Sequence, residues 1–255
     1  MDELLQLALQ KAEQAEVYIS KVTETPVQFE TNRLKHIQTK QSNSVALRII
    51  RNGRIGYATS TRMDDTNDLV ESAVATAEFG QKAEFNFPSF NKFKKISTFD
   101  PAVGEISLDQ MTALGDEMIR AITSYQHDVI CEASINKIMA ETTIVNSAGG
   151  KASYKESAFG IGVEGQVVHG TDMLFVGEHD GSCHPILDTK KIIRTTIKQL
   201  KLARKQATVE TKRTPVIFTP EGTTSALIAP LMSAFNGKTV LEGASPIGTK
   251  LGEMV

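Results

Sequence analysis

Tryptophan is absent from this 255-residue chain, and cysteine occurs only twice, at Cys131 and Cys183. Two thiols cannot build a disulfide framework, so both are expected to be reduced and the fold must rest on an apolar core. No apolar run is long enough to span a bilayer, so no transmembrane helix is expected. The Met1-Asp2-Glu3 start lacks the basic and apolar regions of a signal peptide, so a cytoplasmic protein is expected. A formal net charge of −2 gives no overall pull toward nucleic acid or anionic membrane. Histidine and cysteine both run out at His184, so nothing C-terminal to it can supply an imidazole or thiolate.

What remains is ordinary for a soluble globular chain: 40% hydrophobic and 23% charged residues, enough for one large domain or two smaller ones plus a fragment. Residues 2–15 place Leu4, Leu5, Ala8, Leu9 and Ala12 at helical spacing. Residues 16–22 and 26–31 read as strands. Asn52-Gly53 between residues 45–51 and 54–60 is the strongest local signal, because a tight hairpin turn needs positive φ at both central positions. Asp64 or Asp65 can cap a helix running to Phe79, with Gly80 as its stop. The order then repeats: a helix from Ser107 to Ser124, strands over 129–145, 151–168 and 171–176, and a helix from Asp188 to Lys205. The expected fold class is α+β, with two modules of antiparallel sheet flanked by helices. The boundaries read as an N-terminal domain over 1–84, a linker over 85–105, a central domain over 106–210 and the start of a further domain over 211–255.

That last segment organises the functional argument. Val216-Ile217-Phe218 reads as a short buried strand, Thr219 as an N-cap, Pro220 as the first helical residue, and Glu221 as an acid suited to a helix N-terminus. With Lys250-Leu251-Gly252-Glu253 downstream, the stretch 214–237 resembles the strand–helix junction opening the C-terminal domain of the TldD/PmbA family, also called modulators of DNA gyrase and related to zinc metalloproteases. The phrase Leu47-Arg48-Ile49-Ile50, the turn Asn52-Gly53-Arg54-Ile55-Gly56 and the Asn146-Ser147 turn match the same family. TldD-type members carry His-Glu-x-x-x-His on this helix, whereas the PmbA (TldE) type does not. The nearest register here puts Ala229, Pro230 and Ala234 at those three positions. Catalytic zinc needs three protein ligands and a nearby carboxylate base. Alanine has no lone pair to offer, and proline kinks or restarts a helix. Residues five apart diverge widely on an ideal helix, so the family spacing itself demands a local distortion. The resemblance covers nearly the whole chain yet corresponds to about half of a typical member, which implies a truncated sequence.

Other signals have plainer explanations. Gly160-x-Gly162-x-x-Gly165 matches a dinucleotide motif in letters, but strand-like residues follow it where a helix is required. His169, His179, Cys183 and His184 are candidate metal or partner contacts by ligand type, in a stretch whose glycines and Pro185 suggest a solvated hairpin and loop. Ser182 lacks the setting of a nucleophile elbow. Phe85, Phe87, Phe90, Phe93 and Phe99 among Lys92, Lys94 and Lys95 could stack single-stranded nucleic acid, but in an acidic chain they read as linker anchors. Lys190, Lys191, Arg194, Lys198, Lys201, Arg204 and Lys205 form a basic helix stripe, read as a solvated face.

Two classes of function follow. The resemblance implies a non-catalytic subunit beside a zinc-bearing TldD-type paralogue, or self-association, acting on peptides or unfolded segments, with no cofactor of its own and no nucleic-acid partner. The alternative is a stand-alone metallopeptidase using His169, His179, Cys183 or His184, or a peptide-binding scaffold.

Overall fold

A computed structural model describes residues 1–62, 64–89, 92–94, 96–205 and 207–254. Phe90 and Lys95 of the aromatic linker lie outside these residues. The chain divides into two compact units, residues 1–205 and 206–255.

The first unit is built on one antiparallel seven-stranded sheet. In chain order its elements are α1 (Asp2–Leu9), β1 (Gln14–Glu30), β2 (Arg33–Ile37), β3 (Lys40–Arg51), β4 (Arg54–Ser60), α2 (Thr66–Glu78), α3 (Ala102–Glu105), α4 (Leu108–Tyr125), β5 (Ile130–Asn146), β6 (Lys151–His169), β7 (Asp172–Ser182) and α5 (Lys190–Ala203). The sheet order is β4-β3-β1-β5-β6-β7, with β2 paired to β1. The two α+β modules read from the sequence therefore share one sheet, joined where β1 pairs β5 from Glu16↔Asn146 to Phe29↔Ala133.

Several boundaries move. The opening helix stops at Leu9 instead of continuing to residue 15, because Ala15 and Val17 are taken into the sheet with 0% exposure. The two strands expected over 16–31 are one, running through Pro26. Proline has no amide proton for the ladder, and the break between β2 and β3 falls opposite it, where Gln38 N–H reaches the Pro26 carbonyl at 3.4 Å. The 45–60 hairpin forms with Asn52 at φ 51° and Gly53 at φ 68°. Gly80 ends the region of α2 through close approach: a Cβ there would lie 1.8 Å from the Ile55 carbonyl oxygen. β7 runs on to Ser182, through residues expected to be loop. Gly160 and Gly162 pair on both sides within β6 and precede no helix.

Side-chain alternation sorts the sheet into two faces. Odd-numbered residues of β1 and β5 point to the face that the helices of this unit cover. At one end, α1 and α2 pack Leu4, Ala8, Leu69, Val70 and Ala73 on Val17, Val45, Leu47 and Ile49. At the other, α4 and α5 pack Met111, Met118, Ile122, Ile192 and Leu200 on Val27, Phe29, Ile135, Phe159 and Ile161. α4 begins at a complete capping box between Ser107 and Gln110. No helix among the described residues is long and apolar enough to cross a membrane.

Residues 206–255 hold short helices: α6 (Pro220–Thr223), a π-turn over Thr224–Ile228, α7 (Ala229–Ala234) and α8 (Gly237–Leu241). The buried strand expected at Val216–Phe218 does not form; Val216 and Ile217 are 67% and 94% exposed. A strand needs a neighbour for its main-chain groups, and none of the described strands pairs with it.

Candidate functional site

The helix that would carry a metal motif starts as its sequence dictates. The Thr219 hydroxyl accepts the Gly222 amide at 3.1 Å, and Pro220 occupies the first turn. The backbone then widens into the π-turn before resuming at Ala229. Pro230 cannot donate to a carbonyl one turn back, which favours such a rearrangement directly ahead of it. Ala229 and Pro230 are exposed and Ala234 is half-buried. None of the three has a donor atom for a metal, so the residues present do not fit zinc.

The four candidate His and Cys residues are not brought together. His169 sits at the β6–β7 turn, its Nε2 3.2 Å from Asp128 Oδ2. His179 lies within β7 opposite Gly162. Cys183 and His184 follow the end of β7. The length of β7, about 35 Å at 3.4 Å per residue, therefore separates the first from the last two. Among the described residues, no three His, Cys, Asp or Glu side chains are grouped closely enough to hold a metal ion. Cys131, 0% exposed in the core, has its thiol pushed up to about 11 by burial and is chemically quiet. Ser182 accepts the His184 amide, a local turn contact.

His184 has a structural partner that the sequence pattern did not reveal. Its Nδ1 lies 2.7 Å from Asp100 Oδ2. The Asp100 amide donates to the Ser157 hydroxyl at 2.8 Å, and that hydroxyl donates to the Cys183 carbonyl at 2.7 Å. The Thr98 carbonyl accepts from the Ser157 amide at 2.9 Å. The linker is thus fastened to β6 and to the segment after β7. The His184 hydrogen bond, with help from the Ala102 amide, holds the Asp100 carboxyl below the usual carboxylate range. Upstream, Phe85 and Phe87 stack edge to face and lie under the Arg48 guanidinium at 5.4 and 5.1 Å. Phe99 receives Lys155 at 5.8 Å. Three of the linker rings thus meet cations of the protein's own sheet.

Between the two helix layers, the middle of the sheet is left uncovered. A groove of about 360 Å³ crosses four strands there, lined by Lys21, Thr23, Asn43, Met139, Glu141 and Lys155 among others. The register puts Asn43, Lys21, Glu141 and Lys155 side by side in one row. Phe99 forms a wall. At the β3 end the groove meets an edge that no strand among the described residues pairs, because residues 40–44 extend past the last β4 pair, Val45↔Ser60.

The outer edges of β4 and β7 are each met by a helix side chain. Thr76 of α2 both donates to the Tyr57 carbonyl and accepts its amide at 2.9 Å. Gln199 of α5 does the same to Gly177 with its amide group, at 2.7 and 2.9 Å. The Glu178 and Asp180 carboxylates take the His179 and Gly181 amides. These contacts blunt strand edges that could otherwise pair with another chain.

The profile of the PmbA/TldA metallopeptidase domain 1 matches residues 15–78. An uncharacterized protein of Methanocaldococcus jannaschii is 21% identical over all of this chain, which covers 59% of that protein. TldE of Thermococcus kodakarensis has a similar fold, with a TM-score of 0.84 at 18% identity over 98% of this chain and 58% of that one. A protein of Bacteroides thetaiotaomicron described as a proposed modulator of DNA gyrase gives 0.86 at 17% identity, covering 99% and 60%. The chain spans somewhat under two thirds of the length of these relatives. Residues 15–78 thus match the PmbA/TldA metallopeptidase domain 1, and nearly the whole chain shares the fold of TldE and of the gyrase-modulator protein.

Proposed function

We propose that this chain is the non-catalytic, TldE-like subunit of a two-component metalloprotease, and that a zinc-bearing paralogue supplies the reacting centre. The observation that carries the reading is the donor set: Ala229, Pro230 and Ala234 stand where ligands and base would be needed. Without a lone pair at these positions, this helix cannot polarise water. The role left to the chain is to bind and present an extended polypeptide. The open edge at residues 40–44 suits main-chain pairing with such a segment. The groove beside it offers Lys21, Glu141 and Lys155 to side chains of either sign.

The test is to mix the full-length protein with a zinc-bearing family paralogue, follow size-exclusion elution with light scattering, and determine zinc in each component. The expected result is a mixed complex whose zinc comes entirely from the paralogue. Separate elution at micromolar concentration would refute the pairing. Stoichiometric zinc in this chain alone, lost on replacing His179 and His184, would refute the non-catalytic role and favour a stand-alone metallopeptidase.

A further inference from the structure

The face of the sheet turned away from the helices carries a feature with no use in the fold. Glu132 of β5 and Glu164 of β6 are directly opposite each other in the ladder. Both are exposed. Like charges in this position destabilise a sheet. Neither carboxylate takes part in an ion pair or side-chain hydrogen bond among the described residues; the nearby Glu30, by contrast, has Lys35 at 3.7 Å. Such a pair is tolerable in isolation only because water solvates it, and it attracts any cation that can reach both oxygen pairs.

Two further observations mark the surroundings. Toward one end of the strands, the next rows on the same face hold Ile130, Val168, Met173 and Phe175, exposed by 44, 50, 55 and 68%, with half-buried Gln166 between Ile130 and Phe175. Toward the other end, the surface falls to bare main chain. Gly160 pairs with Gly181, and a Cβ built on Gly160 would meet nothing within 4 Å. Beside this floor, Asn136 Oδ1 is buried with no hydrogen-bond partner among the described residues, while its Nδ2 donates to Glu24. His179 is exposed at the border, opposite Gly162. The face therefore runs from apolar side chains, through paired carboxylates, to an open glycine floor with an acceptor at its margin.

We propose that this face docks a basic polypeptide segment of a partner protein. An arginine or lysine of that segment sits between Glu132 and Glu164. An aliphatic or aromatic residue two positions along reaches Ile130 and Phe175, since rows two residues apart along a strand are about 7 Å apart, the same as alternate residues of an extended ligand. The glycine floor lets the ligand's main chain approach closely where a side chain would hold it off. Charge complementarity selects the occupant: an acidic or neutral segment would leave both carboxylates desolvated without a counter-charge. The inference goes beyond the zinc-subunit reading and stands whether or not the partner holds a metal.

The probe is a fluorescein-labelled peptide with arginine and, two positions later, leucine in a serine–glycine background, compared with a counterpart bearing glutamate for arginine. Binding to the whole chain is followed by fluorescence anisotropy. The arginine peptide should bind at least about tenfold more tightly than its counterpart, and weaken as salt rises toward about 0.5 M. The double variant Glu132→Gln, Glu164→Gln should lose about tenfold or more in affinity, while Glu117→Gln on the exposed side of α4 should not. The double variant should melt at or above the parent temperature, since it removes a like-charge pair, so its loss of binding cannot come from misfolding. Equal binding of both peptides, unchanged binding by the double variant, or no binding at millimolar peptide would each overturn the proposal. So would concentration-dependent self-association that disappears in the double variant, which would assign the face to a second copy presenting the basic stripe of α5.

Discussion

Replacing Gly56 by alanine is the sharpest test of how α2 is seated on the sheet. A Cβ at Gly56 would lie 2.1 Å from the Ala73 carbonyl oxygen, 2.7 Å from Ala77 Cβ and 2.9 Å from the Ala77 nitrogen. Two of these are main-chain atoms of α2, so no flexible side-chain end can move aside. To restore ordinary contact, α2 must withdraw by about 1 Å, a gap that forfeits a quarter to a half of each contact's attraction. The contacts affected are those of Leu69, Val70, Ala73 and Ala77, all buried at one end of the sheet. Overpacking of this kind costs about 1–3 kcal/mol, and with both partners rigid we expect the upper end, about 3 kcal/mol. Urea denaturation of the parent and of Gly56→Ala, compared at a common slope, measures it. Gly181→Ala is the control: its nearest atom beyond chain neighbours is the Phe159 carbonyl oxygen at 4.0 Å, and it should change stability by about 0.5 kcal/mol or less. A Gly56→Ala protein as stable as the control would refute the seating.

Gln199→Leu removes both hydrogen bonds to Gly177 and reopens the β7 edge. It should cost about 1–3 kcal/mol for the main-chain groups left without partners, and light scattering should show increased association, whereas unchanged stability and dispersity would contradict the edge-capping role. Asp100 titrates in the folded state below its ordinary value because of His184 and the Ala102 amide. Its contribution is therefore present above the ordinary carboxylate range and lost as pH falls through the folded value. Asp100→Asn should flatten the acid limb of a stability–pH curve without steepening the alkaline limb; an acid limb identical to the parent's would remove the clasp from the account.

Local chemistry made some elements legible. The 45–60 hairpin is announced by Asn52-Gly53, residue types that suit positive φ at two successive positions; Thr31-Asn32, between β1 and β2, takes φ of 51° and 63° with a threonine that gives no such signal. Helix α4 is announced by Ser107, whose side chain accepts from the Gln110 amide as an N-cap should, and the structure adds the reciprocal bond from the Ser107 amide to Gln110. Elements fixed by distant partners were not legible. β2 is exposed along its whole length and among the described strands pairs only with β1. Gly177 and Gly181 look like loop residues, yet β7 needs a glycine at 177, where a Cβ would lie 2.8 Å from the Val163 carbonyl oxygen. The pairing of β1 with β5 joins residues more than a hundred positions apart, and no local pattern marks it. His184 was visible as a titratable residue, but its partner Asp100 lies across the linker, so its role depended on the fold.

The groove itself has a signature in the strands that build it, once their faces are known. The covered face of β1 reads Ala15, Val17, Ile19, then Lys21, Thr23, Thr25, then Val27 and Phe29. β6 turns from Ser153, Lys155 and Ser157 to Phe159, Ile161 and Val163 on the same face. An apolar–polar–apolar sequence along one face of a single strand cannot bury against one continuous layer without stranding Lys21 in a core, which would cost far more than the packing returns. Two separate helix layers with a solvated interval satisfy every position. The interval is therefore written into the strands as a break in their apolar alternation, and its polar side chains are there because no helix covers them. The result is a polar channel across the sheet, lined by Lys21, Glu141 and Lys155, with an apolar core on either side of it.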